Sequence, residues 1–221
     1  MSESVTVPFS TETIRRVPTV HTKRTVAPWD LPISLETMKD HLNMTSSIKD
    51  TDITQKITVA TWALETVLGI ALMEQTWVEA WDQVEAVIDL QIRPNLSVTS
   101  IKYIASLDAD TEVTIAPATY IVEDDTICTR TVWPTHRGWR GFKITHTAGY
   151  KAKGAGDAAA LLAARAAIPY DLTHAVTMLA AHLYEEREGQ GFEAQFVASA
   201  ARGVLPQMVM QFITPYIKWG V

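Results

Sequence analysis

Apolar residues recur along the chain with two different periods, and the changes between them divide it into segments. From Ser34 the pattern is helical. Leu35, Met38 and Leu42 make a short stripe behind a Ser34 N-cap, and Ile53, Ile57, Ala60, Leu64 and Val67 make a longer one that stops at Gly69. Ser47-Ile48-Lys49-Asp50 is spaced like a capping box with Asp in the Glu position, which predicts the start of the second helix. A helical hairpin over 34–68 follows. From Ala71 the period falls to two: Met73, Gln75, Trp77, Glu79 and Trp81 share one side of an extended segment, and Leu72, Glu74, Thr76, Val78 and Ala80 share the other. Neither side is purely apolar, so a long strand with one partly wet face is expected. Further strands are predicted at Val87 to Ile92, Val98 to Ile104, Glu112 to Ile115, Tyr120 to Val122, Thr126 to Thr129 and Phe142 to Thr147. Arg93-Pro94-Asn95, Asp108-Ala109-Asp110, Ala116-Pro117 and Glu123-Asp124-Asp125 supply the turns between them.

The helical period returns near Asp157. An Ala-rich run to Ala167 favours helix on propensity, and Ile168 to Gly189 is amphipathic, with Leu172, Ala175, Val176, Leu179 and Leu183 on one face. Pro169 suits its first turn and Gly189 its stop, and the tail Glu185-Glu186-Arg187-Glu188 is polar. This face needs a cover, and the hairpin over 34–68 is the expected one. Phe192 to Ala201 reads as a helix or turn. Leu205 to Tyr216 reads as a last short helix whose Met208, Val209, Phe212 and Ile213 share a side. The first 31 residues, rich in Thr, Val and Pro with Arg15, Arg16, Lys23 and Arg24 scattered among them, show no helical period. They read as an extended arm ordered by contact with something else, or else a loose tail.

The predicted fold class is α+β: a helical bundle formed by the N- and C-terminal helices, with an inserted antiparallel β domain, either a sandwich or a small barrel. Its parts are an arm (1–31), the hairpin (32–70), the β domain (71–150) and C-terminal helices with an apolar tail (151–221).

Composition narrows the function. At 221 residues and 47% hydrophobic content the chain can bury a core. A net charge of -6 opposes a surface that grips nucleic acid all over. One cysteine, Cys128, leaves no internal disulfide and no Cys-rich zinc pattern. No apolar run approaches membrane-spanning length and no signal-peptide core is seen, so a soluble protein made in the cytoplasm, with no membrane partner, is expected.

Catalytic chemistry finds little support. His174 and His182 lie eight apart on one helix without the i, i+4 pair and third ligand that zinc requires, so they read as packing or interface histidines. Gly154-Ala155-Gly156 lacks the Gly-Lys-Ser/Thr of a phosphate loop and reads as a flexible loop. No Gly-x-Ser-x-Gly elbow exists, and Cys128 has no nucleophile signature. No catalytic, cofactor or metal site is predicted. Two stretches suit a partner instead. Trp133, Arg137, Trp139 and Arg140 alternate aromatic and basic character in a Gly-containing loop, fit to stack on protein or nucleic acid, or else to fold back on the sheet. Leu205, Met208, Phe212, Tyr216 and Trp219 form an apolar C-terminal segment, an interaction surface if exposed and a packing element if covered.

Laid out in order, the elements resemble the head-tail connector, or adaptor, family of tailed bacteriophages and related gene transfer agents. The residues that carry the resemblance are Pro32-Ile33-Ser34-Leu35-Glu36 with Lys39 and Leu42, Leu64-Glu65-Thr66-Val67-Leu68-Gly69, and Gln75-Thr76-Trp77. They continue with Arg93-Pro94 before Val98-Thr99-Ser100-Ile101, Thr147-Ala148-Gly149-Tyr150, and Ile168-Pro169 before Ala181-His182-Leu183-Tyr184-Glu185-Glu186-Arg187-Glu188. Leu205-Pro206 and Pro215-Tyr216 complete the set. The resemblance implies a non-enzymatic virion protein of the head-tail neck. It would form a homo-oligomeric ring, commonly of twelve copies, beneath the portal protein and ahead of a stopper or tail-completion protein, and double-stranded DNA would pass through it. Acidic charge fits a channel that should not hold DNA, and the acidic end of the 168–189 helix would face a neighbour or the channel. The long arm and the Ala-rich stretch from Lys151 to Ala167 depart from the family pattern. Docking of Leu205 to Trp219 on the portal, with the arm or β domain reaching a neighbour or the next tail component, is the physical expectation. The alternatives are a stopper or tail-completion subunit, or a DNA-binding or enzymatic phage protein, which would need a clustered basic face or a convergent polar pocket.

Overall fold

A computed structural model describes residues 19–106, 111–154, 156–185 and 205–218. In chain order they form β1 (Val20–Val26), α1 (Leu35–His41), α2 (Asp50–Leu68), β2 (Gln75–Trp81), β3 (Val87–Asp89), β4 (Asn95–Tyr103) and β5 (Val113–Thr114). Then come β6 (Tyr120–Glu123), β7 (Thr126–Thr129), β8 (Phe142–Ala148), α3 (Ala158–Ala167), α4 (Tyr170–Glu185) and α5 (Gln207–Ile213). The molecule is α+β, as the change of period implies. The Gly189 stop and the segment Phe192 to Ala201 lie outside the described residues.

The helices share one apolar cluster. Ile57, Ala60 and Leu64 of α2 and Leu172, Val176 and Leu179 of α4 are all fully buried in it, so the hairpin does cover the α4 stripe. Ser34 caps α1, accepting a hydrogen bond from the Thr37 N–H at 3.0 Å. Asp157 caps α3 in the same way through Ala160 N–H at 2.7 Å. The capping box at Ser47 does not form. α2 begins at Asp50, and the Asp50 carboxylate sits 2.8 Å from Lys39 Nζ on α1 instead of reaching back to Ser47. The ion pair fixes α1 against α2 and takes the group the box needed.

The strands build two antiparallel sheets, one in the order β1-β2-β8-β4-β5 and one in the order β3-β7-β6. Both contribute to a second apolar cluster: Trp81, Ile101, Phe142 and Ile144 from the larger, Ile88, Tyr120 and Ile127 from the smaller. The small-barrel option is overturned. β1 and β5 remain at opposite edges of the larger sheet, and β5 has only two residues with which to pair. Val20–Val26, from the stretch read as an arm, pairs with β2 of its own chain, from Val20 opposite Trp81 to Val26 opposite Thr76.

The inward face of β2 is not the wet one. Gln75, Glu79 and Trp81 lie on it and all are buried. Glu79 Oε1 accepts from the backbone N–H groups of Gln91 and Ile92 at 2.8 and 2.9 Å and lies 3.3 Å from His146 Nε2, so a carboxylate inside the fold anchors the β3–β4 connection. The inserted unit also enters and leaves at one point: Gln75 at the start of β2 is opposite Ala148 at the end of β8. There Gly149 adopts φ 147°, and a Cβ on it would lie 2.8 Å from Glu74 N, so only glycine fits.

Truncating the shared helical core has a predictable cost. Leu179→Ala is expected to destabilise the chain by about 2–5 kcal/mol, because it removes a fully buried side chain from the α2–α4 contact. Denaturant unfolding measures this; a loss under about 1 kcal/mol would mean that the contact is not limiting.

Candidate partner-binding surfaces

The C-terminal segment divides by helical phase. Leu205, Val209 and Ile213 are buried in the helical cluster, while Met208, one residue off that stripe, is exposed. Phe212 and Tyr216 are half-buried against the cluster, Tyr216 in the 3₁₀ turn Thr214–Tyr216. Trp219 lies outside the described residues. Leu205 is thus used inside the chain, and the segment presents Met208 with the outer edges of Phe212 and Tyr216. A feature not predicted from sequence extends this face. Tyr170, 77% exposed, stacks on His174 at 5.7 Å between ring centres, and His174 meets Phe212 edge-on at 4.9 Å. The i, i+4 spacing of Tyr170 and His174 on a predicted helix was the available signal.

The loop from Trp133 to Gly141 divides too. Trp133 is only 9% exposed, donates its indole N–H to the Glu85 carbonyl at 2.7 Å, and packs edge-on against Phe142 at 5.2 Å. Trp139 is 62% exposed, with the Arg137 and Arg140 guanidinium carbons 5.9 and 5.4 Å from its ring centre. Arg140 ties this knuckle to the sheet: its backbone N–H donates to the Asp82 carboxylate at 2.7 Å, and its guanidinium lies 3.0 Å from His21 Nδ1. A Cβ on Gly141 would fall 1.9 Å from the Arg137 carbonyl oxygen, so the turn closes only with glycine there. Trp139 is the exposed ring of this loop, and Trp133 is part of the β core.

Between β1 and α2 run two adjoining cavities of about 390 Å³ each, both lined by Arg24, Trp62 and Glu65. Glu65 is buried there. Its Oε1 accepts from Leu72 N–H and from Gln75 Nε2, each at 2.8 Å, and Gln75 Oε1 accepts in turn from Arg24 Nη1 at 3.3 Å. Burial raises the Glu65 pKa from 4.5 to about 7, outweighing the hydrogen bonds from Leu72 and Gln75 and the charge of Arg24, all of which lower it. Among the described residues, no group of three His, Cys, Asp or Glu side chains is arranged to hold a metal ion, and no helix is long and apolar enough to cross a membrane.

The fold is thus an α+β protein, a helical core with an exposed aromatic face joined to a two-sheet unit with a cationic aromatic knuckle. The chain belongs to the head completion protein family, which matches residues 32–219. Its fold is similar to that of a chain in the neck of an empty gene transfer agent (GTA) particle, computed with C6 symmetry: TM-score 0.67, 21% identity, covering 91% of this chain and 97% of that one. A chain of the virion of a native GTA particle aligns with TM-score 0.65 and 22% identity over 90% and 96% of the two chains. A chain of the native GTA neck computed with C12 symmetry aligns with TM-score 0.62 and 22% identity over 91% and 97%. No curated protein matches the sequence.

Two outcomes test these assignments. Trp133→Ala should destabilise the chain by about 3–5 kcal/mol while Trp139→Ala stays within about 0.5 kcal/mol of the parent in denaturant unfolding; equal losses would contradict the division of the loop. For Glu65 the folded chain keeps a proton that the unfolded chain releases at an ordinary carboxylate pKa. Stability should therefore fall as pH rises from about 4.5 to about 7 and level off above, by on the order of 2–3 kcal/mol. Glu65→Gln should flatten that slope, and an unchanged slope would assign it to other groups.

Proposed function

We propose that this chain is the adaptor subunit of a phage or GTA neck. Made in the bacterial cytoplasm and built into the virion, it forms a ring of twelve copies under the portal protein that joins capsid to tail and lets double-stranded DNA pass. The observation that carries this reading is the likeness in fold, over nine-tenths of the chain, to a chain of the native GTA neck computed with C12 symmetry. Membership of the head completion family supports it. A cyclic ring asks each subunit for two different, complementary surfaces, and the aromatic face on α4–α5 and the knuckle at Trp139 lie on different units of the fold.

In this reading the face of Met208, Tyr170, Phe212 and Tyr216 docks on the portal, and the Trp139 knuckle meets a neighbouring copy or the next neck component. Removing residues 206–221 would strip Val209 and Ile213 from the helical core, so the test belongs to surface substitutions. Met208→Asp with Tyr170→Ala should leave unfolding unchanged and weaken binding to purified portal at least about tenfold. Unchanged portal affinity would overturn the docking assignment. Binding to a stopper or tail-completion protein without portal binding would make the chain a different neck component.

A further inference from the structure

The larger sheet has two edges of different kinds. β5 is two residues long and is flanked by Glu112, which holds both Lys102 and Lys143. Short, charge-covered edges resist further pairing. β1 is seven residues long and hydrogen-bonds on one side only, to β2, with Thr22 to Val26 exposed. Among the described residues its outer backbone N–H and C=O groups have no protein partner. The two cavities run along this strand, with Thr22 and Arg24 on one wall and the partly exposed Trp62 of α2 on the other.

We propose that the free edge of β1 receives an extended strand from residues 1–18 of a neighbouring copy, so that each ring subunit donates one arm and accepts another. The proposal rests on the ring reading above and specifies its subunit contact. Sequence and length argue for this occupant. The segment Thr11-Glu12-Thr13-Ile14-Arg15-Arg16-Val17 is rich in β-branched residues and matches β1 in length. Eighteen extended residues reach up to about 60 Å, ample for an adjacent subunit. A tight hairpin back onto β1 of the same chain is blocked. Its two-residue turn would be Pro18-Thr19, and hairpin turns need a positive φ at the first position, whereas proline is held near -65°. The Thr19 carbonyl is, besides, already bonded to Asp82 N–H at 3.2 Å. A strand added beside the cavities that Arg24 and Trp62 line also answers the aggregation hazard of a long free edge.

The test adds a synthetic peptide of residues 1–18 to the full-length chain and follows amide hydrogen exchange. Exchange in Val20–Val26 should slow at least about tenfold at saturating peptide, and Trp62 fluorescence should change with the same midpoint. A peptide carrying Thr13→Pro and Val5→Pro should lose both effects, as should a scrambled peptide of the same composition. No slowing at millimolar peptide, or equal slowing by the scrambled peptide, would overturn strand addition. Rings that assemble with β1 amides still exchanging freely would overturn it while leaving the ring intact. Protection of β1 in a chain that never closes into rings would keep the strand contact and defeat the ring reading.

Discussion

The structure depends on one contact between distant parts of the sequence, the packing of α2 against α4. Ile57, Ala60 and Leu64 close over Leu172, Val176 and Leu179, more than one hundred residues apart along the chain. Closing so long a loop carries an entropic cost that a local hairpin would not. The inserted β unit reduces it by meeting itself at the point of entry: β2 begins opposite the residue where β8 ends, and Gly149 lets the chain leave beside Glu74. With its two ends held together, the β unit returns the chain to the helical side, and α5 then adds Val209 and Ile213 to the same cluster.

Two buried carboxylates hold connecting segments, Glu65 between the halves and Glu79 within the β unit. Glu65 near the end of α2 holds Leu72 N–H and Gln75, and Glu79 within β2 holds Gln91 and Ile92 N–H. Backbone donors in connecting loops need partners once water is excluded, and a carboxylate satisfies two at once. Burial costs these groups solvation, visible at Glu65 as a pKa raised to about 7. Arg24 connects this network to β1 through Gln75 and rests 5.9 Å from the Trp77 ring, so the edge strand is attached to the helical core by side chains as well as by its ladder.

The helices were legible because each buries one face, which leaves a 3.6-residue stripe. Most strands were legible from turn residues between short apolar runs. β1 was not: Val20 to Val26 is exposed along most of its length, so no period-two apolar pattern marks it. β2 has the partly wet face expected of it, at Thr76 and Val78, but which face that would be was not legible. Gln75 binds the Glu65 and Arg24 side chains and Glu79 binds backbone N–H groups, all inside the fold, and sequence does not separate such roles from solvation. Nor could it divide Trp133 from Trp139, since the pocket of Phe142, Tyr120 and the Glu85 carbonyl exists only after both sheets form. On α5 the stripe was visible, but which members stay outside followed from how α4 lies beside it.

Family membership and fold fit a subunit whose helical half carries an exposed aromatic face and whose β half has an open edge strand and a cationic knuckle. Such a subunit closes into a ring when each contact uses two different patches related by rotation. The most direct test is the native mass of the purified full-length chain, alone at rising concentration and mixed with portal protein. A discrete closed species of twelve chains bound to portal is expected. A chain that remains a single copy at every concentration, with portal present, would contradict it.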